Sequence, residues 1–315
     1  MKVKNTMADW IKGITEEHQE EVREKYKKAK TFKKKIDILK TWHPKGHLSL
    51  KPIKNLETYF KYIRVCTTDS TWFRGESKNF GSLKPKLYRN IDSNEIVEQQ
   101  AKERKYFLEF KRRARSMVPD IDENDNWSWY FLIQHYGGPT RLLDWTQDAA
   151  IALFFALNTD IDDANDPIIT CLTPTALLYY AYDELGYEKT LSGKVLYPGD
   201  NPSDKWLANI IVSDDNFSTE LPSSPIALLP SYLNPRITAQ RSCFTLFGNR
   251  MDGFYMNGKH IVCPLCNSRI FNKLIIDGKS KNDLRKELIK IGITNGKIYP
   301  GLDGLCKEIT YEIYQ

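Results

Sequence analysis

Nine consecutive apolar residues, Ala149 to Leu157, constrain the fold of this chain more than any other stretch. Wound as a helix, the run is apolar around its whole circumference, and such a helix is stable only when neighbouring elements cover every side of it. It would be about 14 Å long, far short of the roughly 30 Å core of a bilayer. The cover must therefore come from the protein itself, which predicts a helix over 147–157 at the centre of the core. Immediately upstream stand Gln134, His135, Tyr136, Gly137, Gly138, Pro139, Thr140, Arg141, Asp144 and Thr146. Imidazole, guanidinium, hydroxyl and carboxylate groups at the mouth of a buried helix are held in place by the core, which is how a binding site is built.

A chain of 315 residues with 41% apolar content can bury a large core, as one domain or as one domain with a helical appendage. Its first ten residues, Met-Lys-Val-Lys-Asn-Thr-Met-Ala-Asp-Trp, contain no apolar segment of the secretory kind, and the expectation is a cytoplasmic chain that does not engage a membrane. Six cysteines, at 66, 171, 243, 263, 266 and 306, are too sparse for a disulfide framework, so reduced thiols are expected. Cys263-Pro-Leu-Cys266 behind His260 is half of a zinc pattern, but no second pair follows, and no metal is expected.

The formal charge of +6 is concentrated. Residues 23–40 hold nine Lys or Arg against two acids; removing these from totals of 46 and 40 leaves 37 basic and 38 acidic residues elsewhere. The body is therefore near neutral and carries no broad electrostatic footprint for nucleic acid, so any such contact is local to this segment. From Thr15 to Trp42 the residues Val22, Tyr26, Ala29, Phe32, Ile36, Leu39 and Trp42 recur every three or four positions, the pattern of a long amphipathic helix that His43-Pro44 ends. Residues 1–50 are read as a basic helical extension and 51–315 as the main domain.

Within that domain, a short helix around Leu56–Ile63 is followed by an aromatic strand, Thr71 to Glu76. Asp92 with Glu95 makes a capping-box start to a helix reaching about Met117, with Ile96, Phe107, Phe110, Ala114 and Met117 as its apolar face. A further helix over 126–136 stops at Gly137-Gly138-Pro139. Strands are expected at Ile168–Leu172, Pro225–Leu229, Ser242–Phe247, His260–Cys263 and Ile270–Ile276, surface excursions over 183–224, and a last helix capped by Ser280 with Asp283. Helices gathered in the first half and short strands in the second predict an α+β fold rather than alternating βαβ units. Phosphate-loop, dinucleotide-fingerprint, nucleophile-elbow and zincin motifs are all missing, which removes the sequence support for kinase, dehydrogenase, esterase and zincin chemistry.

Trp72-Phe73-Arg74-Gly75-Glu76, then Leu83 to Arg89, then Gln134 to Thr146, then Arg236 to Thr245, and a tail from Gly292 to Leu305 together resemble the FRG domain family, named for its Phe-Arg-Gly. The motif order in turn resembles the ADP-ribosyltransferase fold: an arginine ending an early strand, a hydroxyl-bearing strand leading into an alanine-rich helix, and a late strand carrying an acid. That resemblance implies mixed sheets, NAD as substrate, transfer of ADP-ribose to a protein or nucleic-acid acceptor, and the setting of a bacterial toxin or phage-defence effector. It places Arg74, with Gly75, Gln134, Tyr136, Thr140, Arg141 and Thr146, at the dinucleotide. Gln240 falls where transferases keep a glutamate, and a neutral amide supplies no charge to an oxocarbenium-like transition state. Asp144, Glu76 and His135 are then the candidates for charge and proton transfer.

Residue by residue, each candidate also has a purely structural reading. Arg74 suits an anion, because its planar fork pairs bidentately with phosphate, and equally suits an ion pair with Glu76 or Asp144. Asp144 can cap the apolar helix, pair with Arg141 or point into a pocket. His135 can serve as acid, base or cap, and Tyr136 and Trp145 can stack on a ring or pack in the core. Beside the transferase stands a second class of function, a binding module that recognises a nucleotide without turnover, with the basic helix engaging nucleic acid or a partner protein.

Overall fold

In the computed structural model the residues described are 24, 25, 28, 51–158, 165–184, 195–211, 223–231, 234–256, 259–260, 262–263 and 268–314. Nearly all of the basic extension thus lies outside the described residues, as does Cys266 of the half zinc pattern. Helices α1 (Leu56–Cys66), α2 (Ile96–Ala114), α3 (Asn126–His135) and α4 (Ala149–Leu157) come first, with strands β1 (Trp72–Glu76) and β2 (Leu142–Thr146) among them. Strand β3 (Ile168–Leu172), helices α5 (Pro174–Glu184) and α6 (Asn201–Ile211), strand β4 (Ile226–Leu228), the short helix α7 (Pro235–Ala239) and strand β5 (Ser242–Leu246) follow. Two small ribbons, β6 (Tyr255–Met256) with β7 (Lys259–His260) and β8 (Val262–Cys263) with β9 (Ser268–Arg269), precede β10 (Phe271–Ile275). Helices α8 (Lys281–Lys290), α9 (Asn295–Ile298) and α10 (Leu302–Tyr314) end the fold.

Six strands form one sheet in the order β10-β3-β1-β2-β5-β4, with every neighbouring pair antiparallel. Side chains alternate across a strand, and here both faces are covered. Phe73, Ile169, Cys171 and Leu274 pack with the apolar residues of α4, with Tyr59 and Tyr62 of α1 and with Leu284 and Leu288 of α8. Trp72, Leu172, Trp145, Phe244 and Phe271 pack with residues of α2, α3, α5 and α6 on the other side. The fold is therefore α+β, built on one antiparallel sheet buried on both faces.

The apolar run does become the central helix, and Gly75 explains how closely it lies on the sheet. A Cβ at this position would sit 1.9 Å from the Ala152 carbonyl oxygen and 2.7 Å from the Ala156 nitrogen, so only glycine lets the α4 backbone cross β1 here. The helix starts at Asp148, whose carboxylate accepts from the Ala150 and Ile151 N–H groups at 2.8 and 3.3 Å. Asp144, weighed above as the cap, lies four residues earlier on β2 and plays no part in it.

Several expectations need correction. Helices run through the whole chain, because three of them follow β10. The region 183–224 contains a buried helix, α6, whose Trp206, Leu207, Ile210 and Ile211 fill the core at helical spacing despite the turn formers around them. Helix α2 begins at the expected Asp92–Glu95 capping box but ends at Ala114, leaving Met117 exposed. The Ser280 hydroxyl donates to Asp277 at 2.8 Å rather than capping α8.

Arg141 is buried where β2 begins. Its Nε donates to Glu103 of α2 at 2.6 Å, and its backbone N–H donates to the Tyr130 hydroxyl oxygen at 3.0 Å. Tyr130 also donates to Glu103, so two charges out of water are matched by hydrogen bonds that tie α2, α3 and β2 together. No helix among the described residues is long and apolar enough to cross a membrane.

Candidate functional site

Strands β1 and β2 share a single paired position, Phe73 opposite Thr146, whereas β1 with β3 and β2 with β5 each pair over five residues. Beyond that pair the backbone ladder ends, and a side chain bridges the strands: Arg74 Nη1 donates to the Asp144 carbonyl at 2.9 Å. A cavity of about 410 Å³ occupies this break. Its walls are Arg74 and Gly75 from β1, Gln134 and His135 from the end of α3, and Asp144 and Thr146 from β2, together with Arg236 and Gln240. Phe73, Phe131, Trp145, Phe155, Ile237 and Phe244 make its apolar surface.

The carboxylate of Asp144 is exposed, and Gln134 Nε2 donates to both of its oxygens at 2.9 Å. The Gln134 amide is itself oriented, because its Oε1 accepts from the buried Thr140 hydroxyl, which in turn accepts from the Leu142 N–H at 3.2 Å. Thr140 thus reaches the cavity through Gln134, and it is absent from the lining. Thr146 donates to the Gln240 carbonyl at 2.7 Å and accepts from Asp148 N–H at 3.0 Å, joining the end of β2 to the turn before β5.

Arg74 makes a long contact with Glu76, Nε to Oε1 at 3.4 Å, and both side chains are largely shielded. Glu76 touches the cavity only through that arginine. Arg89 lies within electrostatic reach of Arg74, Asp144 and Glu76, and its guanidinium is lowered from its ordinary value first by burial and then by the Arg74 charge. His135 is likewise lowered, by burial first and then by the Arg236 cation, with Asp144 opposing the shift. A histidine so placed is neutral near pH 7 and able to accept a proton.

Of the residues expected at the site, Arg74, Gly75, Gln134, His135, Asp144, Thr146 and Gln240 come together around the one cavity. Arg141 faces Glu103 instead. Tyr136 is 68% exposed and outside the lining, its ring set edge-on to His135 at 4.9 Å. Trp145 is buried, donating from Nε1 to Thr245 Oγ1 at 3.0 Å, and also borders the cavity. Arg236 also lines the cavity; it stands four residues before Gln240, the spacing that puts two side chains on one face of a helical turn and the one sequence signal that points to it. Its guanidinium lies 4.5 Å from the centroid of the Tyr299 ring. Among the described residues no three His, Cys, Asp or Glu side chains converge as a metal site would require.

Two guanidinium groups, one hydrogen-bonded carboxylate and four phenylalanines around a single break in a sheet suit a ligand with anionic groups and a flat ring. The family model of the FRG domain matches residues 69–165, which covers β1, the α3–β2 connection and α4. No curated protein and no solved structure matches the chain.

Proposed function

We propose that this FRG-domain protein binds NAD in the β1–β2 break and transfers its ADP-ribosyl group to a protein or nucleic-acid acceptor. The observation that carries this reading is Asp144: an exposed carboxylate, held by both oxygens, in the same cavity as two arginines. In such a site the guanidinium groups of Arg74 and Arg236 pair with the pyrophosphate, and the phenylalanines face the rings. As the bond from ribose C1 to the nicotinamide nitrogen breaks, the electron pair neutralises the pyridinium and positive charge grows on the ribose. The Asp144 carboxylate is suited to stabilise that charge, the task Gln240 cannot perform. The acceptor then bonds to C1 and gives up its proton, which neutral His135 can take.

The test is NAD consumption by pure protein offered lysate protein and RNA, with the products identified by mass. Asp144→Asn keeps the shape of the site and removes its charge, and it is expected to lower turnover by about 100-fold or more while NAD affinity changes little. Absence of NAD loss in the wild type, or full turnover by Asp144→Asn, refutes the transferase reading.

A second reading has its own support. Gln240 Nε2 donates to the Ile298 carbonyl at 3.2 Å, so this amide has a structural task that needs no catalysis. A binding module that senses a nucleotide then gives a thermal shift with NAD, because a ligand of the native state raises its stability, and no product. In that reading the basic segment over residues 23–40 engages nucleic acid or a partner, and a nucleic-acid contact has an affinity that falls steeply with salt.

A further inference from the structure

We infer that Arg236, carried on the ring of Tyr299, is a second anion-binding cation that makes the cavity selective for ligands with two linked phosphates over ligands with one. The inference rests on the proposed dinucleotide pocket and is independent of turnover.

Arg236 and Arg74 both line the cavity, one on α7 and the other on β1. Like charges facing one space repel, so such a pair is sustained when an anion is to lie between them. Arg74 has Glu76 at 3.4 Å, whereas among the described residues no carboxylate comes within ion-pair distance of Arg236. What holds Arg236 is the Tyr299 ring face, 4.5 Å away, a contact that fixes a guanidinium plane while leaving its charge uncompensated. The Arg236 cation is felt at His135, whose protonation it opposes after burial does.

Tyr299 is a built support. Its ring meets those of Phe154 and Phe155 of α4 at 6.1 and 6.3 Å, and its hydroxyl interacts with Asn158 and Arg236. The preceding carbonyl, of Ile298, receives Gln240 Nε2. Glu308 of α10 anchors this turn by accepting from the Gly296 N–H at 2.6 Å and the Thr294 hydroxyl at 3.0 Å. Three cavity residues, Phe155 of α4 and Arg236 and Gln240 of α7 and its C-terminal cap, therefore rest on the dipeptide Ile298-Tyr299. One arginine suffices for a single phosphate. Two lining one cavity, each set by its own support, suit a pyrophosphate.

The test titrates ADP-ribose and AMP into the full chain by calorimetry, for the wild type, Arg236→Gln, Arg236→Lys and Tyr299→Leu, with melting temperatures as the control for folding. A charge-assisted contact contributes about tenfold or more in affinity. Wild type is expected to prefer ADP-ribose to AMP by at least that factor. Arg236→Gln and Tyr299→Leu should lose ADP-ribose affinity while AMP affinity changes less than threefold, and Arg236→Lys should recover part of the loss. An unchanged preference in a folded Arg236→Gln variant overturns the inference, as does a wild type that binds neither ligand. If ADP-ribose selectivity follows Arg236 but NAD is never consumed, the transferase reading fails and this one stands.

Discussion

Gly75 offers the sharpest test of how the fold builds the site. In Gly75→Ala the new Cβ would meet the Ala152 carbonyl oxygen at 1.9 Å and the Ala156 nitrogen at 2.7 Å, both backbone atoms that no rotamer change can move. Ordinary contact begins near 3.4 Å, so α4 would have to retreat from β1 by about 1.5 Å, or β1 would have to bend. Overpacking of this kind costs about 1–3 kcal/mol. A retreat of that size also forfeits much of the dispersion contact along Phe73, Ala152 and Ala156, so a total near 3 kcal/mol or more is expected. For a chain of this length that corresponds to a fall in melting temperature of roughly 4–5 °C or more. Gly81→Ala is the matched control: its φ is +80° with nothing within 4 Å of the added Cβ, so only backbone strain of about 1–2 kcal/mol applies. Calorimetric melting of the two variants beside wild type separates the effects. A Gly75→Ala protein that melts within 2 °C of wild type would show that the glycine of Phe-Arg-Gly is not there for helix packing and that α4 does not depend on it to cross β1.

Two further outcomes follow from polar groups, one pair in the core and one residue at the cavity. Arg141→Leu leaves the Glu103 carboxylate buried with only the Tyr130 hydroxyl and the residue 141 N–H beside it, and should destabilise the protein by about 3–5 kcal/mol in denaturant unfolding. Adding Glu103→Leu should restore part of that loss, and a double variant no more stable than the single one would argue against a matched pair. His135, lowered by burial and by Arg236, takes up its proton less readily folded than unfolded. Its contribution to stability is thus fully present above the unfolded value of about 6.5 and is lost as pH falls below it toward the lower folded value. His135→Gln should flatten melting temperature against pH between 7 and 5, and an unaltered profile would place the titration elsewhere.

The sequence made the elements legible where local chemistry and burial agree. The apolar run, the aromatic strand at Trp72 and the capping box at Asp92 each identify themselves within a few residues. What it could not reveal is which carboxylate does what. Asp144 and Asp148 are four residues apart in similar surroundings, and the choice between cap and cavity depends on where β2 ends, which is set by pairing with β5 across about a hundred residues of chain. Arg141 is as suitable for an anion as Arg74 by sequence, but Glu103, its partner, lies 38 residues away on helix α2. Tyr299 was hidden for the same reason: nothing in Ile298-Tyr299 signals that Arg236 and Gln240 will rest there.

Arg74 shows why a site can form at a break in this sheet without weakening it. Where the β1–β2 ladder stops, the Asp144 carbonyl has no β1 backbone donor opposite it. Arg74 supplies the missing donor from a side chain. A guanidinium has five N–H groups; one goes to Asp144 and one to Glu76, which leaves three for a ligand. Lysine would keep the charge and could donate to the carbonyl, but it has no planar fork with which to serve the sheet, the acid and an anion together. The arginine of Phe-Arg-Gly and the glycine beside it are therefore complementary: the glycine brings α4 down onto β1, and the arginine closes the opposite side of the strand while keeping donors directed at the cavity.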